Sequence, residues 1–239
     1  MNKRAILGIL LATVLPLCGY VMVKYYGERA VHMPPRYFYD GVDTTREDGR
    51  INTDTAWHKV KNMTFVNQLG DTVELNSLRN RIVVINFFFT RCPSVCPGLA
   101  VKIKKLQESF SGSKNDSIVQ FISVSVDPEY DSVPQLRKFA DRFTSNHDNW
   151  WFVTGDKKAI YDFGMKELKA SIADADVDSI FIHTPYFFLL DRDRVVRGWY
   201  NGFDDAKQAK LVKDIPLLML EKQRKRSFKT FLKELFGRS

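Results

Sequence analysis

The run from Ile82 to Phe89 is apolar except for Asn86, and it stops abruptly at Thr90-Arg91. So short a run of β-branched and aromatic residues predicts a strand buried on both faces, which commits the chain to a layered α/β arrangement. Directly after it comes Cys92-Pro93-Ser94-Val95-Cys96-Pro97, two cysteines four positions apart, each followed by proline. Helix-compatible sequence resumes at Gly98. A buried strand therefore feeds a loop and the first turn of a helix. Two sulfurs are presented together there, near a helix N-terminus whose dipole favours thiolate.

The rest of the pattern fits layers around that strand. Met63 to Val66 and Thr72 to Leu75 flank Asn67-Gln68-Leu69-Gly70-Asp71, a hairpin signal. Leu99, Ile103, Leu106 and Phe110 share one helical face. Ile118 to Val126 reads as a second buried strand, ended by Asp127-Pro128-Glu129. Val133 to Phe143 reads as a helix entered through Pro134. A short strand at Trp150 to Val153, a short helix at Lys157 to Met165 and an irregular insertion at 167–182 follow. Tyr186 to Leu190 and Val195 to Tyr200 are strands joined by a tight turn at Asp191 to Arg194, and Asp204 to Leu220 is a closing helix. A βαβ half followed by a ββα half predicts a mixed central sheet with helices on both faces. That is a thioredoxin-like α/β fold, here with an N-terminal β-hairpin extension.

The two ends carry a different signal. Ala5 to Val23 is mostly apolar and follows Lys3-Arg4. As a helix it would be about 28 Å long, close to the roughly 30 Å of a bilayer's hydrocarbon core. The stretch after Tyr20 offers no small-residue cleavage site, and Leu17 is too large for the position before a lipidated Cys18. The expectation is one uncleaved transmembrane helix, with Lys3 and Arg4 holding the N-terminus in the cytoplasm. Residues 1–24 are then the cytoplasmic end and anchor, 25–57 an extracytoplasmic tether, 58–221 the folded domain and 222–239 a basic tail. In the tail Phe228, Phe231, Leu232, Leu235 and Phe236 share a helical face between lysines and arginines, a pattern suited to an anionic membrane surface. The net charge of +8 sits wholly at the ends: residues 25–220 hold 26 basic and 26 acidic residues. That balance argues against a nucleic-acid-binding core.

Three cysteines are too few for a disulfide scaffold. Cys92 and Cys96, at i and i+4, form either a dithiol/disulfide couple or part of a soft-metal site. A metal needs more ligands, and His183 is the best candidate. It stands just before the Tyr186 strand, where a thioredoxin-like topology brings the chain back to the cysteine loop. Two thiolates and an imidazole suit Cu(I), suit Cu(II) with added ligands, and suit Zn(II) less well. The same topology predicts a cis bond at Thr184-Pro185, with Pro185 facing the cysteines. Asp127 lies at a strand end on the same sheet edge, where it either orients the site or caps a turn. His32, His58 and His147 are expected at the surface.

Taken together these residues resemble the Sco/SenC family of membrane-anchored, thioredoxin-fold copper chaperones, over roughly His58 to Leu220. Thr90-Arg91-Cys92-Pro93-Ser94-Val95-Cys96-Pro97 looks like the family's Cys-Pro-x-x-Cys-Pro site. Ile122 to Glu129, His183 and Arg197-Gly198-Trp199-Tyr200 are supporting matches. The resemblance implies copper binding by Cys92, Cys96 and His183, with Asp127 and Pro185 around them. It implies a metallochaperone rather than an enzyme, acting in assembly of the dinuclear copper centre of cytochrome c oxidase. Its partners would be the oxidase's copper-bearing subunit and thioredoxin-like reductants. Its place would be the bacterial inner membrane, single-pass, with the soluble domain facing the periplasm. Two departures stand out: Ile182 replaces the aspartate that many relatives have before the histidine, and Thr184-Pro185 is typical of disulfide-handling thioredoxin folds. The alternative is a membrane-anchored thiol–disulfide oxidoreductase that keeps the oxidase's cysteines reduced.

Overall fold

A computed structural model describes residues 3–30, 32–47, 50–110, 118–143, 146–170 and 184–221. The chain divides into two units, Met1–Met33 and Pro34–Ser239. The first contains helix α1, Lys3–Ala30, with Pro16 inside it. The expected Ala5 to Val23 helix lies within it. Among the described residues no helix is long and apolar enough to cross a membrane. Of the α1 side chains, only Arg4, Gly8 and those of 12–23 are described.

The second unit begins with an antiparallel ribbon, β1 (Tyr39–Glu47) and β2 (Arg50–Trp57). Within the stretch expected as a tether, 25–57, residues 39–47 and 50–57 are thus strands, which the sequence periodicity did not show. The ribbon pairs backbone to backbone, and its threonines favour extended chain without an apolar period. Residues just before it dock on the domain as well: the Tyr37 N–H donates to Val196 O at 2.9 Å, and the Tyr37 ring lies 4.5 Å from that of Trp199.

The main sheet has seven strands in the order β4–β3–β7–β6–β5–β8–β9. They are β3 (Thr64–Asn67), β4 (Thr72–Glu74), β5 (Ile82–Phe88), β6 (Val119–Ser125), β7 (Trp150–Thr154), β8 (Tyr186–Leu190) and β9 (Val196–Asn201). Every residue of β5 and of β6 is buried. Ile82, Val84 and Phe88 enter one core with α2 (Val95–Phe110), α3 (Val133–Ala140) and α5 (Asp205–Leu220). Val83, Ile85 and Phe87 enter the other, with Ile160 of α4 (Lys157–Asp162) and with Leu75 and Leu78. Each such side chain adds about 1.5–3 kcal/mol when fully buried. Asn86, the polar interruption, accepts from Ser123 Oγ at 2.7 Å, and that hydroxyl accepts from Trp150 Nε1 at 3.0 Å. The Asn86 amide donates in turn to Phe87 O at 3.4 Å, so each of these three polar groups is partnered.

Strand direction decides where the site is. β5 and β6 run parallel, so both end at one sheet edge. β8 is antiparallel to β5 and starts at that edge, and β9 returns to it. The cysteine loop, the Asp127 turn, Thr184-Pro185 and Gly202 therefore meet at a single edge.

The opposite edge is closed by Arg197, which is 2% exposed. Its guanidinium donates to Asp191 Oδ2 at 2.9 Å, to Glu221 Oε2 at 2.6 Å, and twice to the Pro34 carbonyl at 3.0 and 2.6 Å. One side chain thus ties the start of the domain and the end of α5 to β9. Burial pushes the Asp191 carboxyl above its usual range, while the Val195 N–H and Arg197 pull it back. Arg197→Ala should cost about 3–5 kcal/mol, because it takes the charged partner at 2.9 Å from a buried carboxylate. Arg197→Lys should recover only part of this, lacking the planar fork. Urea unfolding of the three proteins checks both.

Candidate thiol and metal centre

β5 ends at Phe88, and the Cys92 N–H closes the next turn onto Phe89 O at 3.2 Å. Helix α2 begins at Val95 and so includes Cys96, which the sequence periodicity left outside it. The first N–H groups of a helix have no partner within it. One of them, that of Cys96, donates to Cys92 Sγ at 3.2 Å. The Cys92 sulfur therefore takes the place of a capping oxygen and sits where the helix dipole favours negative charge. Both thiols are free and buried, Cys92 at 6% and Cys96 at 2% exposure. Burial pushes the Cys96 thiol far above its ordinary value, and a hydrogen bond with Cys92 adds to this; a backbone hydrogen bond at Phe89 opposes it. Negative charge on the inner sulfur is thus favourable only with a cation beside it, and the other stable outcome is a sulfur–sulfur bond.

A group that sequence reasoning missed holds the loop in place. The Asp131 carboxylate has no exposed surface. It accepts from the Thr90 hydroxyl at 2.5 Å, from the Thr90 N–H at 3.1 Å and from the Ser125 hydroxyl at 2.5 Å. It thereby ties the residue that opens the cysteine loop to the last residue of β6. In the sequence, Asp131 is the fifth residue of Asp127-Pro128-Glu129-Tyr130-Asp131, which reads as a solvated turn. Its only signal was the polar pair Thr90 and Ser125 at the ends of two apolar strands.

The predicted residues fall as follows. Asp127 accepts from Arg91 Nη2 at 2.5 Å, and its carbonyl accepts the N–H groups of Tyr130 and Asp131 at 3.1 and 2.9 Å. It shapes its own turn and also grips the residue before Cys92. The Arg91 guanidinium stacks on the Tyr130 ring at 4.1 Å, and the hydrogen bond to Asp127 holds it above its ordinary value. The expectation for Pro185 is corrected: among the described residues no peptide bond is cis, so Thr184-Pro185 is trans. Trans is the favoured isomer by about 0.5–1 kcal/mol, and here it lets the Pro185 carbonyl accept the Gly202 N–H at 2.8 Å as the chain enters β8. A Cβ on Gly202 would lie 2.2 Å from Leu99 Cδ2 and 3.1 Å from Pro185 O. Only glycine lets this corner close on α2, one helical turn beyond Cys96.

His183 lies outside the described residues, as do Ile182 and the basic tail at 222–239. Among the described residues no three histidine, cysteine or carboxylate side chains gather as a metal site. Two further histidines depart from expectation. His58 is 12% exposed, with Nδ1 at 2.8 Å from Asp40 and Nε2 at 3.3 Å from Glu167. His147 is 14% exposed, between Gln68 at 3.0 Å and Asp141 at 3.3 Å. Carboxylates and an amide from distant segments close over both rings. His32 is exposed as expected.

Comparison with known proteins agrees with the fold. The SCO1/SenC family model matches residues 52–219. The chain belongs to the SCO1/SenC family. It is 34% identical to the SCO1 protein homolog of Bacillus subtilis over 168 residues, covering 70% of this chain and 86% of that protein. Among solved structures, BsSco superposes with a TM-score of 0.58 at 32% identity, over 70% of this chain and 98% of its own. BsSco is described as a member of the Sco family of cytochrome c oxidase assembly proteins, and a disulfide switch was identified in it. Yeast Sco1, solved with copper bound, shares the fold at a TM-score of 0.50 and 20% identity, over 66% of this chain and 92% of its own. The thioredoxin-like expectation, a mixed sheet between helical layers, is met in this Sco/SenC chain.

Asp131 gives a direct test of how the loop is held. Asp131→Ala would strand the Thr90 N–H and two hydroxyls and should cost at least about 2 kcal/mol. Asp131→Asn, which keeps the shape and an acceptor, should cost less. Urea unfolding reads the stability, and the rate of iodoacetamide labelling at Cys92 should rise as the loop loosens.

Proposed function

We propose that this chain is a copper metallochaperone that delivers copper to, or helps assemble, the copper centre of a respiratory cytochrome c oxidase. The observation that carries the reading is the pair of free, buried thiols at the N-terminus of α2, with the Cys96 N–H aimed at Cys92 Sγ. They sit at the edge where the chain re-enters beside α2 at Thr184-Pro185, next in sequence to His183. Copper here is cargo. Cys92 and Cys96 as thiolates and His183 as neutral imidazole would hold it, a donor set soft enough for Cu(I). The burial that keeps Cys96 protonated gives way when a cation shares the pocket, so loading releases protons and needs reduced thiols. Family membership and the described role of BsSco support an oxidase subunit as the recipient, with thioredoxin-like reductants keeping the pair open.

A second reading, a thiol–disulfide oxidoreductase acting on the oxidase's cysteines, is favoured by the hydrogen bond between the two thiols and by the disulfide switch identified in BsSco. The trans bond at Thr184-Pro185 removes one argument for it. Copper titration of the reduced full chain against a competing chelator separates the two. One copper should bind, either Cys→Ser substitution should abolish binding, and His183→Ala should weaken it by at least about 100-fold. Binding indifferent to His183, or turnover of a protein disulfide without copper, would favour the oxidoreductase.

The chain's place, in this proposal, is a bacterial inner membrane, held by α1 with the domain in the periplasm. Support comes from the apolar sequence Ala5 to Val23 within a continuous helix and from the flanking Lys3 and Arg4. The full chain should remain with membranes after an alkaline wash, and a chain starting at residue 25 should not. Release of the full chain would refute the anchor.

A further inference from the structure

An open cleft beside the thiol loop has no part in that reading. It is lined by Thr90, Arg91, Tyr130, Lys138, Phe139 and Arg142, and the first two directly precede Cys92. Arg91 is committed to Asp127 and Tyr130. Lys138 and Arg142 are one helical turn apart, both exposed, and neither has a carboxylate partner among the described residues. Arg142 lies over the rings of Phe139 and Phe143 at 5.5 and 5.3 Å, which fixes it without neutralising it. Neighbouring cations are all matched: Arg137 with Asp141 at 2.9 Å, Lys157 with Glu129 at 3.4 Å and Lys158 with Asp162 at 2.6 Å. Asp131 faces inward and is wholly buried. Since residues 25–220 balance at 26 basic and 26 acidic, composition does not force two unmatched cations here.

We propose that this cleft docks an acidic segment of the protein that exchanges with Cys92 and Cys96, an inference that rests on reading those thiols as the working pair. Carboxylates on the segment would meet Lys138 and the Arg142 fork, and its chain would cross the aromatic floor and reach the loop at Arg91. Two unmatched cations beside a reactive group steer an oppositely charged partner and raise its on-rate, an effect that salt screens. A lipid surface is the poorer fit. The cleft is concave, Phe139 is buried, Tyr130 is occupied by Arg91, and no apolar side chain stands ready to insert into a bilayer.

The test uses the reduced full chain and two peptides activated as 2-pyridyl disulfides, one tetraglutamyl-cysteine and one tetraseryl-cysteine. The Cys92 thiolate attacks the peptide sulfur, the probe's S–S bond breaks and pyridine-2-thione leaves. Cys96 then gives its proton to solvent and attacks Cys92, forming the Cys92–Cys96 bond and expelling the peptide thiolate. The dithiol supplies both electrons. The acidic probe should react at least about tenfold faster than the neutral one at low salt, and the ratio should fall toward one at high salt. Lys138→Glu with Arg142→Glu should bring the ratio to one or below. Equal rates in the unmodified chain, or an acidic preference that survives the double substitution, overturn the docking proposal alone. Failure to react with either probe overturns the thiol reading and the docking proposal with it. If the probe ratio is one but the double substitution weakens binding to phosphatidylglycerol vesicles, the cleft is a lipid site and the proposal is wrong.

Discussion

A carboxylate with no exposed surface must be met from inside the fold, and Asp131 is met by Thr90 and Ser125. Those two residues stand at the ends of parallel neighbouring strands, β5 and β6. Their strands would run together without Asp131, but the loop after Thr90 would not have a fixed exit. With it, Thr90 is held by backbone and hydroxyl, Arg91 is turned out to Asp127 and Tyr130, and Cys92 lies two residues from a rigid point. The working loop is positioned by polar groups set into an apolar edge. Their desolvation is tolerable only because each hydrogen bond is made.

That rigidity gives the two sulfurs different surroundings. Both belong to one core cluster with Phe88, Leu99 and Phe187, but Cys92 receives the N–H of Cys96 at a helix start. Cys92 is also the more exposed of the two, at 6% against 2%. The same asymmetry serves a copper carrier and a dithiol, so the two readings differ in what comes from the β8 side, where His183 stands in the sequence.

Periodicity made the layered part legible. The apolar runs at Ile82 and Ile118 became the two wholly buried strands, and the Leu99, Ile103, Leu106, Phe110 stripe became the buried face of α2. Features that depend on pairing across distance did not show. The ribbon at 39–57 is stabilised by backbone hydrogen bonds that leave no apolar pattern. The start of α2 at Val95 is set by a sulfur cap that proline-rich sequence obscured. The partners of Asp131, His58 and Arg197 did not show in the sequence, because Thr90, Glu167 and Pro34 lie 41, 109 and 163 residues away. The cysteine pair itself was legible because two thiols at a strand-to-helix junction have few bland explanations.

The proposed site, divided between residues 92–96 and 183, rests on one topological fact. Placing β8 antiparallel beside β5 brings the beginning of one strand to the end of the other. The described residues that lead into β8, Thr184 and Pro185, therefore stand at the thiol edge, and His183 is next to them in sequence. The Pro185 carbonyl and Gly202, pressed against Leu99 of the cysteine helix, show how tightly that edge is packed. A side chain at 202 would meet Leu99, Phe187 and the Pro185 carbonyl, where β8 and β9 pack on α2. Gly202 is therefore a packing constraint at the thiol edge.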